Sequence, residues 1–262
     1  MTRYALILEY DGSRYCGWQR QSHSASVQQC VENAVSEVAN QPISLVASGR
    51  TDTAVHAFAQ CAHFDTDVSR EHKAWVLGVN AKLPADISVR AAVRVNDNFH
   101  ARYSTCGRSY RYIILNRSSR SALMTERMAV IYQQLDTDAM HYAAQCLIGE
   151  HDFSSFRAAG CQARHARREI RSIDVCRERH RVTIEITGNA FLHNMVRIIV
   201  GSLLRIGTAQ ASAQWLEKVL AARDRTLAGV TAVPHGLYFM GPDYPSHFGI
   251  PDWRDSLPAG PF

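Results

Sequence analysis

The order of apolar and polar stretches predicts an α+β chain built from two ferredoxin-like (RRM-like) halves around a central, mainly antiparallel sheet. Three observations carry this. Before residue 100, the patterning switches between strand-like and helical in the order β-α-β-β-α-β, the split βαβ unit. The second half repeats a strand, a helix, a hairpin, a helix and a strand. A length of 262 residues, 46% hydrophobic and 20% charged, suits two compact units and excludes disordered and fibrous chains.

Tyr4 to Tyr10 is branched and alternating, as a strand requires, and stops at the turn Asp11-Gly12. Val27, Cys30, Val31, Ala34, Val35 and Val38 recur at helical spacing behind Ser26, a capping residue. Ile43 to Ala47 and Ala59 to Phe64 are expected as short strands around the loop Ser48 to Ala57. Arg70 to Lys82 is expected as a helix stopped by Pro84, and Ile87 to Val95 as another strand.

In the second half, Tyr110 to Leu115 is expected as a strand and Asp138 to Leu147 as a helix. Ile170 to Cys176 and Val182 to Ile186 form a hairpin. A strongly apolar helix over Phe191 to Ile206, a short helix over Gln214 to Ala221 and a strand over Gly236 to Met240 complete the pattern. The halves join between Phe99 and Gly107. This gives a first unit over 1–104, a second over 105–245, and a Pro-, Gly- and Ser-rich tail over 246–262 with little expected packing.

No apolar run reaches the roughly 18 residues of a spanning helix, since Met195 to Gly207 contains Arg197 and Arg205. The N-terminus breaks into charge without a small-residue cleavage site, so a soluble, unexported, cytoplasmic protein is expected. The seven cysteines form no C-x-x-C, and Cys161-x-x-x-His165 lacks a second pair to complete a zinc site. No metal is expected, and the cysteines suit a reducing compartment.

Charge says more. Lysine plus arginine exceeds aspartate plus glutamate by 29 to 24, and only Lys73, Lys82 and Lys218 are lysines. Arg102, Arg108, Arg111, Arg117 and Arg120 occupy an acid-free stretch from Asn98 to Thr125. Seven more arginines, among them Arg167 and Arg168, lie between Arg164 and Arg181. The planar guanidinium binds phosphate bidentately and stacks on bases, so this clustering favours a nucleic-acid partner over a solvated arginine face.

The loop Ala47-Ser48-Gly49-Arg50-Thr51-Asp52-Thr53-Ala54-Val55-His56-Ala57 sits between two strands and concentrates polar, reactive residue types. For an arbitrary loop aspartate, turn capping is the ordinary role. Here the segment resembles the G-R-T-D-A-G-V-H-A signature of the TruA family of tRNA pseudouridine synthases. Other stretches follow in the family's order. Tyr10-Asp11-Gly12 with Gly17-Trp18-Gln19-Arg20-Gln21 resembles Y-D-G…G-W-Q-x-Q, and Ser26-Val27-Gln28 the helix start after it. Val79-Asn80-Ala81-Lys82-Leu83-Pro84 resembles V-N-A-x-L-P, Phe99-His100-Ala101-Arg102 matches F-x-A-R, and Ser109-Tyr110-Arg111-Tyr112 carries the Y-R-Y strand. Phe191 to Arg197 with Val200-Gly201 resembles F-L-x-x-M-V-R-x-x-V-G, and Thr231-Ala232 with Gly236-Leu237-Tyr238 the closing T-A-P-x-x-G-L-Y. Thr53 and Ala54 stand where the family has Ala and Gly. A positive φ at that Gly would cost Ala54 about 1 kcal/mol or force a different turn.

The resemblance implies a pseudouridine synthase fold with its active-site cleft between the halves. It also implies isomerisation of uridine to pseudouridine in the anticodon stem-loop of tRNA, at positions 38, 39 and 40, by a homodimer. That reaction needs neither a redox cofactor nor a metal. It needs an anionic group against the nucleoside, and the match makes Asp52 that group, as nucleophile or as the base that starts glycal formation. Arg197 is then its counter-charge, Tyr110 stacks on the target base, and Arg50 helps hold the nucleotide flipped out of the helix. Arg167 and Arg168 would bind the RNA backbone, while His56 suits a turn-stabilising hydrogen bond. Three other readings stay open at this point: a non-catalytic RNA-binding protein of two RRM-like domains, a synthase for another RNA position, and an Asp-based hydrolase. The last would want a second carboxylate or a metal near Asp52.

Overall fold

The computed structural model describes residues 1–253, and it divides the chain into two compact units. One comprises Met1–Cys106 together with residues 238–253; the other is Gly107–Leu237. Strand pairing is mostly antiparallel in both, as an α+β chain requires.

The first unit contains β1 (Thr2–Tyr10), α1 (Val27–Ala39), β2 (Val46–Ala47), β3 (His56–Thr66), α2 (His72–Asn80) and β4 (Ile87–Val95), the predicted order. Its strands run β4-β1-β3, with β2 on β3. β1 is buried on both faces and so does not alternate cleanly. Tyr4 meets Phe64 and Trp75 of α2 on one face, with ring centroids 5.7 and 5.4 Å away. Ala5 and Ile7 join Ala59, Cys61, Val95, Phe99 and Ala101 on the other. Ser26 caps α1 as expected, its Oγ accepting from Gln29 N–H, and Asn40 ends the helix in the left-handed region.

Among the differences from expectation, four have identifiable reasons. β2 is shorter than Ile43 to Ala47 because two of those amides bond elsewhere: Ile43 N–H donates to Ser36 Oγ and Leu45 N–H to Glu32 Oε1. The closing strand β10 (Leu237–Asp243) pairs in parallel with β3, Tyr238 opposite His56, and so returns from the second half to the first unit. The segment after Tyr244 packs more than expected: Tyr244, Phe248, Ile250 and Trp253 lie against the Ala5–Ile7 cluster, Phe248 5.2 Å from Phe99. The rest of the expected tail, residues 254–262, lies outside the described residues.

The second unit contains β5 (Gly107–Asn116), β6 (Ala129–Ile131), α3 (Thr137–Ala144), β7 (Gly149–Asp152), β8 (Arg167–Glu178), β9 (Arg181–Gly188), α4 (Met195–Gly207) and α5 (Ala213–Ala222). Strands β5-β9-β8-β7 lie side by side, with β6 on β5. The predicted hairpin is β8–β9, and the expected helix from Asp138 divides into α3 and a 3-10 turn at Gln145–Leu147. The fourth difference is α4, which starts at Met195 rather than Phe191. Asn194 has φ of 59°, a left-handed residue that cannot belong to the helix it precedes. No helix among the described residues is long and apolar enough to cross a membrane.

Candidate active site

In the first unit, the Gly49–Val55 loop connects β2 to β3 and is held from behind by the segment that follows β1. Along it Arg50 is exposed, Thr51 buried, Asp52 half-buried and Thr53 exposed. Thr51 turns inward, its Oγ1 2.8 Å from the Tyr10 hydroxyl, and its carbonyl accepts from Trp18 N–H at 3.1 Å. Arg50 and Asp52 flank this anchored residue and are less buried than it is. The Asp52 carbonyl accepts from Val55 N–H at 3.1 Å, closing the turn, and Ala54 N–H donates to the Tyr15 carbonyl.

Two glycines permit this approach. A Cβ at Gly12 would lie 2.0 Å from the Val55 carbonyl oxygen, and one at Gly17 2.5 Å from that of Thr51. The Y-D-G and G-W-Q stretches are therefore the back wall of the G-R-T-D loop, although some 40 residues separate them in sequence. The wall is itself braced. Gln28 Oε1 accepts from Gln19 Nε2 and Arg20 N–H, and Glu32 Oε2 accepts from Arg20 Nη1 at 3.1 Å. On the other side, Ser48 Oγ donates to Gln60 Oε1, whose Nε2 donates to the Gly49 carbonyl.

His56 does what a turn-stabilising residue should. Its Nδ1 lies 3.1 Å from Gly12 N and 3.2 Å from Asp11 Oδ1, accepting from the amide when unprotonated and donating to the carboxylate when protonated. The His56 hydrogen bond, with two more from Ser13, holds the Asp11 carboxyl well below the ordinary carboxylate range. The imidazole also stacks on Tyr238, 4.6 Å away, which ties β10 to the start of β3.

Ala54 has φ of 60°, so the turn keeps the left-handed geometry that glycine adopts without strain. Ala54→Gly is expected to stabilise the protein by about 0.5–1 kcal/mol, the relief of the Cβ clash outweighing the added unfolded-chain entropy. A urea unfolding midpoint that stays put or falls would contradict this.

The second unit supplies the remaining candidates. Tyr110 lies on β5 opposite Ile186, half-buried, with its ring edge-on to Phe191 at 5.1 Å. Its neighbour Tyr112 is a core residue instead, fully buried, donating its hydroxyl hydrogen to the Val233 carbonyl. Arg197 sits in the first turn of α4 and is half-buried. Its Nε donates to the Ala232 carbonyl at 2.7 Å and its Nη1 to Asn194 Oδ1 at 2.9 Å. Gly201 and Gly229 make this possible: a Cβ on Gly201 would sit 1.7 Å from the Val230 carbonyl oxygen, and one on Gly229 2.5 Å from Ser202 N. The Thr231-Ala232 stretch can thus lie directly on α4, its Ala232 carbonyl and Asn194 Oδ1 holding the guanidinium by two struts.

Arg167 and Arg168 open β8 in the same unit. Arg167 is exposed and only loosely paired with Glu150, 3.8 Å away. Arg168 folds back instead, its Nη1 donating to the His165 carbonyl at 3.2 Å. Of the two, Arg167 presents its charge to solvent.

Tyr15, Gln28, Gln60 and Asn194 hold this arrangement in place, and sequence reasoning gave none of them a positioning role. Gln28 and Asn194 lie within matched stretches, Asn194 at a position the pattern leaves open, and nothing marks Tyr15 or Gln60. Asn before an apolar helix was a usable signal for Asn194, since Asn tolerates the left-handed region.

A family model described as tRNA pseudouridine synthase matches residues 6–104 and 143–245. The chain is similar to tRNA pseudouridine synthase A of Photobacterium profundum, 50% identical over 259 residues that cover 99% of this chain and 98% of that protein. It is 49% identical to the proteins of the same name from Escherichia fergusonii and Salmonella paratyphi B, covering 99% of this chain and 94% of each of them.

Proposed function

Since the chain belongs to the tRNA pseudouridine synthase family and is an isomerase acting on tRNA uridine, we propose that its targets are uridines 38, 39 and 40 of the anticodon stem-loop. The observation that carries this reading is the G-R-T-D loop, seated on two glycines and a buried Tyr10–Thr51 contact, with Arg50 and Asp52 on either side of the anchored Thr51 and less buried than it. A non-catalytic RNA-binding role would leave so costly a local arrangement without a purpose.

In the proposed reaction Asp52 either attacks the ribose carbon that bears the base or removes the proton from the neighbouring ribose carbon 2 to form a glycal. In both routes the bond to uracil N1 breaks with its electron pair leaving on the uracil. The base turns and its carbon 5 bonds to the same ribose carbon. In the first route this breaks the Asp52–ribose bond and releases the carboxylate; in the second it returns the abstracted proton to the neighbouring ribose carbon. The proton on carbon 5 is then lost, and N1 gains one. Atoms and electrons balance without oxidation or phosphoryl transfer, so no cofactor enters the scheme. Arg197, held by Ala232 and Asn194, is assigned as the counter-charge of Asp52. Tyr110 stacks on the target base, and Arg50 fills the space left by the extruded nucleotide, recovering part of a cost of a few kcal/mol. The enzyme works as a cytoplasmic homodimer, one tRNA spanning both subunits. The test is to map pseudouridine in unmodified tRNA transcripts after incubation. Modification confined to 38–40 supports the proposal, and modification in another arm would refute the assigned positions.

Arg167 and Arg168 lie far in sequence from the loop and are assigned to positioning the RNA. Binding is expected to weaken steeply with salt, and Arg167→Glu with Arg168→Glu to lower affinity and reduce the slope of log K against log salt by about 1–2. The modified uridine should not change. A flat salt dependence, or a shifted modification site in the double variant, would contradict this division of labour.

A further inference from the structure

The turn that follows Phe99 presents an aromatic ring to solvent in a way no packing need explains. Tyr103 is 76% exposed. Its ring lies on the His100 imidazole, centroids 4.3 Å apart and planes tilted by 30°, and the Arg102 guanidinium carbon is 5.6 Å from its centre. The turn is fixed by its own hydrogen bonds. The amides of Arg102 and Tyr103 both donate to His100 Nδ1, each at 3.2 Å, and Ser104 N–H donates to the His100 carbonyl. Beneath it, Ala101 N–H donates to His63 Nδ1, and the Tyr244 hydroxyl donates to the Ala101 carbonyl at 2.6 Å. An exposed tyrosine normally samples several rotamers. This one stands on an imidazole over a doubly anchored backbone, so little conformational freedom remains to be lost on binding.

A largely exposed aromatic ring with a guanidinium over it, within an acid-free arginine stretch, matches one class of ligand well. The ring offers stacking to any base, and the cation offers a contact to the base face or the adjoining phosphate. We propose that Tyr103, braced by His100 and flanked by Arg102, is a stacking site for an unpaired nucleobase of the bound RNA, separate from the Tyr110 position assigned to the target uracil. This rests on the reading that the substrate is tRNA.

The experiment compares full-length wild type, Tyr103→Ala, Tyr103→Leu and Tyr103→Phe for equilibrium binding to an unmodified tRNA transcript at several salt concentrations. Sedimentation is run in parallel. The Ala and Leu variants are expected to bind about 5- to 150-fold more weakly, the effect of losing one stacked base, and Phe to bind like wild type. The salt slope should be the same in all four, because no cation is removed. Binding by Ala and Leu within twofold of wild type would overturn the proposal. So would a loss of affinity that tracks a change in oligomeric state, which would make the tyrosine a protein contact. If wild type itself fails to bind tRNA, the functional reading falls and takes this site with it.

Discussion

Asp52→Asn is expected to abolish isomerisation, lowering turnover by at least about four orders of magnitude, while tRNA affinity stays within a few-fold of wild type. The amide is nearly isosteric and cannot serve as nucleophile or base, whereas RNA affinity comes mainly from arginine contacts to phosphate. The fold should not suffer. The loop is anchored through Thr51 Oγ1 and the backbone of Thr51, Asp52 and Ala54 rather than through the carboxylate alone. Measurable pseudouridine formation by the Asn variant above a trace of wild-type rate would remove Asp52 from the chemistry.

Arg197→Met is expected to lower kcat by about a hundredfold or more, the scale on which removing one aligned electrostatic partner acts. It should also destabilise the second unit by about 1–3 kcal/mol, because the Ala232 carbonyl and Asn194 Oδ1 each lose a charged donor. The two effects are separable. Asn194→Ala removes one strut and keeps the charge, so it should impair kcat far less than Arg197→Met does. Equal losses in the two variants would mean that Arg197 acts by shaping the start of α4 and not by its charge.

Much of this could be read from the sequence where the determining contacts are local. β4 matches its predicted limits because alternation and flanking turns define it, and α1 was marked at its start by Ser26. Long-range competition set what was missed. Ile43 and Leu45 look like strand residues, yet their amides are claimed by Ser36 and Glu32 of α1. The three-residue β6 and four-residue β7 are too short to show a period, and Phe248 and Trp253 sat in a composition typical of loose tails.

The candidate site divides the same way. The dense run from Gly49 to His56 was conspicuous in the sequence. Its support was not, since Tyr10 reaching Thr51, Gly17 admitting the Thr51 carbonyl and Gly201 admitting Val230 are pairings of residues tens of positions apart. A residue's type shows what it can do. Only the folded chain shows which neighbour requires it to be glycine.

The most direct test is to incubate the purified chain, with a chelator present and no added cofactor, with tRNA transcript labelled with tritium at uracil carbon 5. The account predicts stoichiometric tritium release with pseudouridine appearing at 38–40, and none of either with Asp52→Asn. Tight tRNA binding by wild type without tritium release or pseudouridine would contradict it and favour an RNA-binding protein without catalysis.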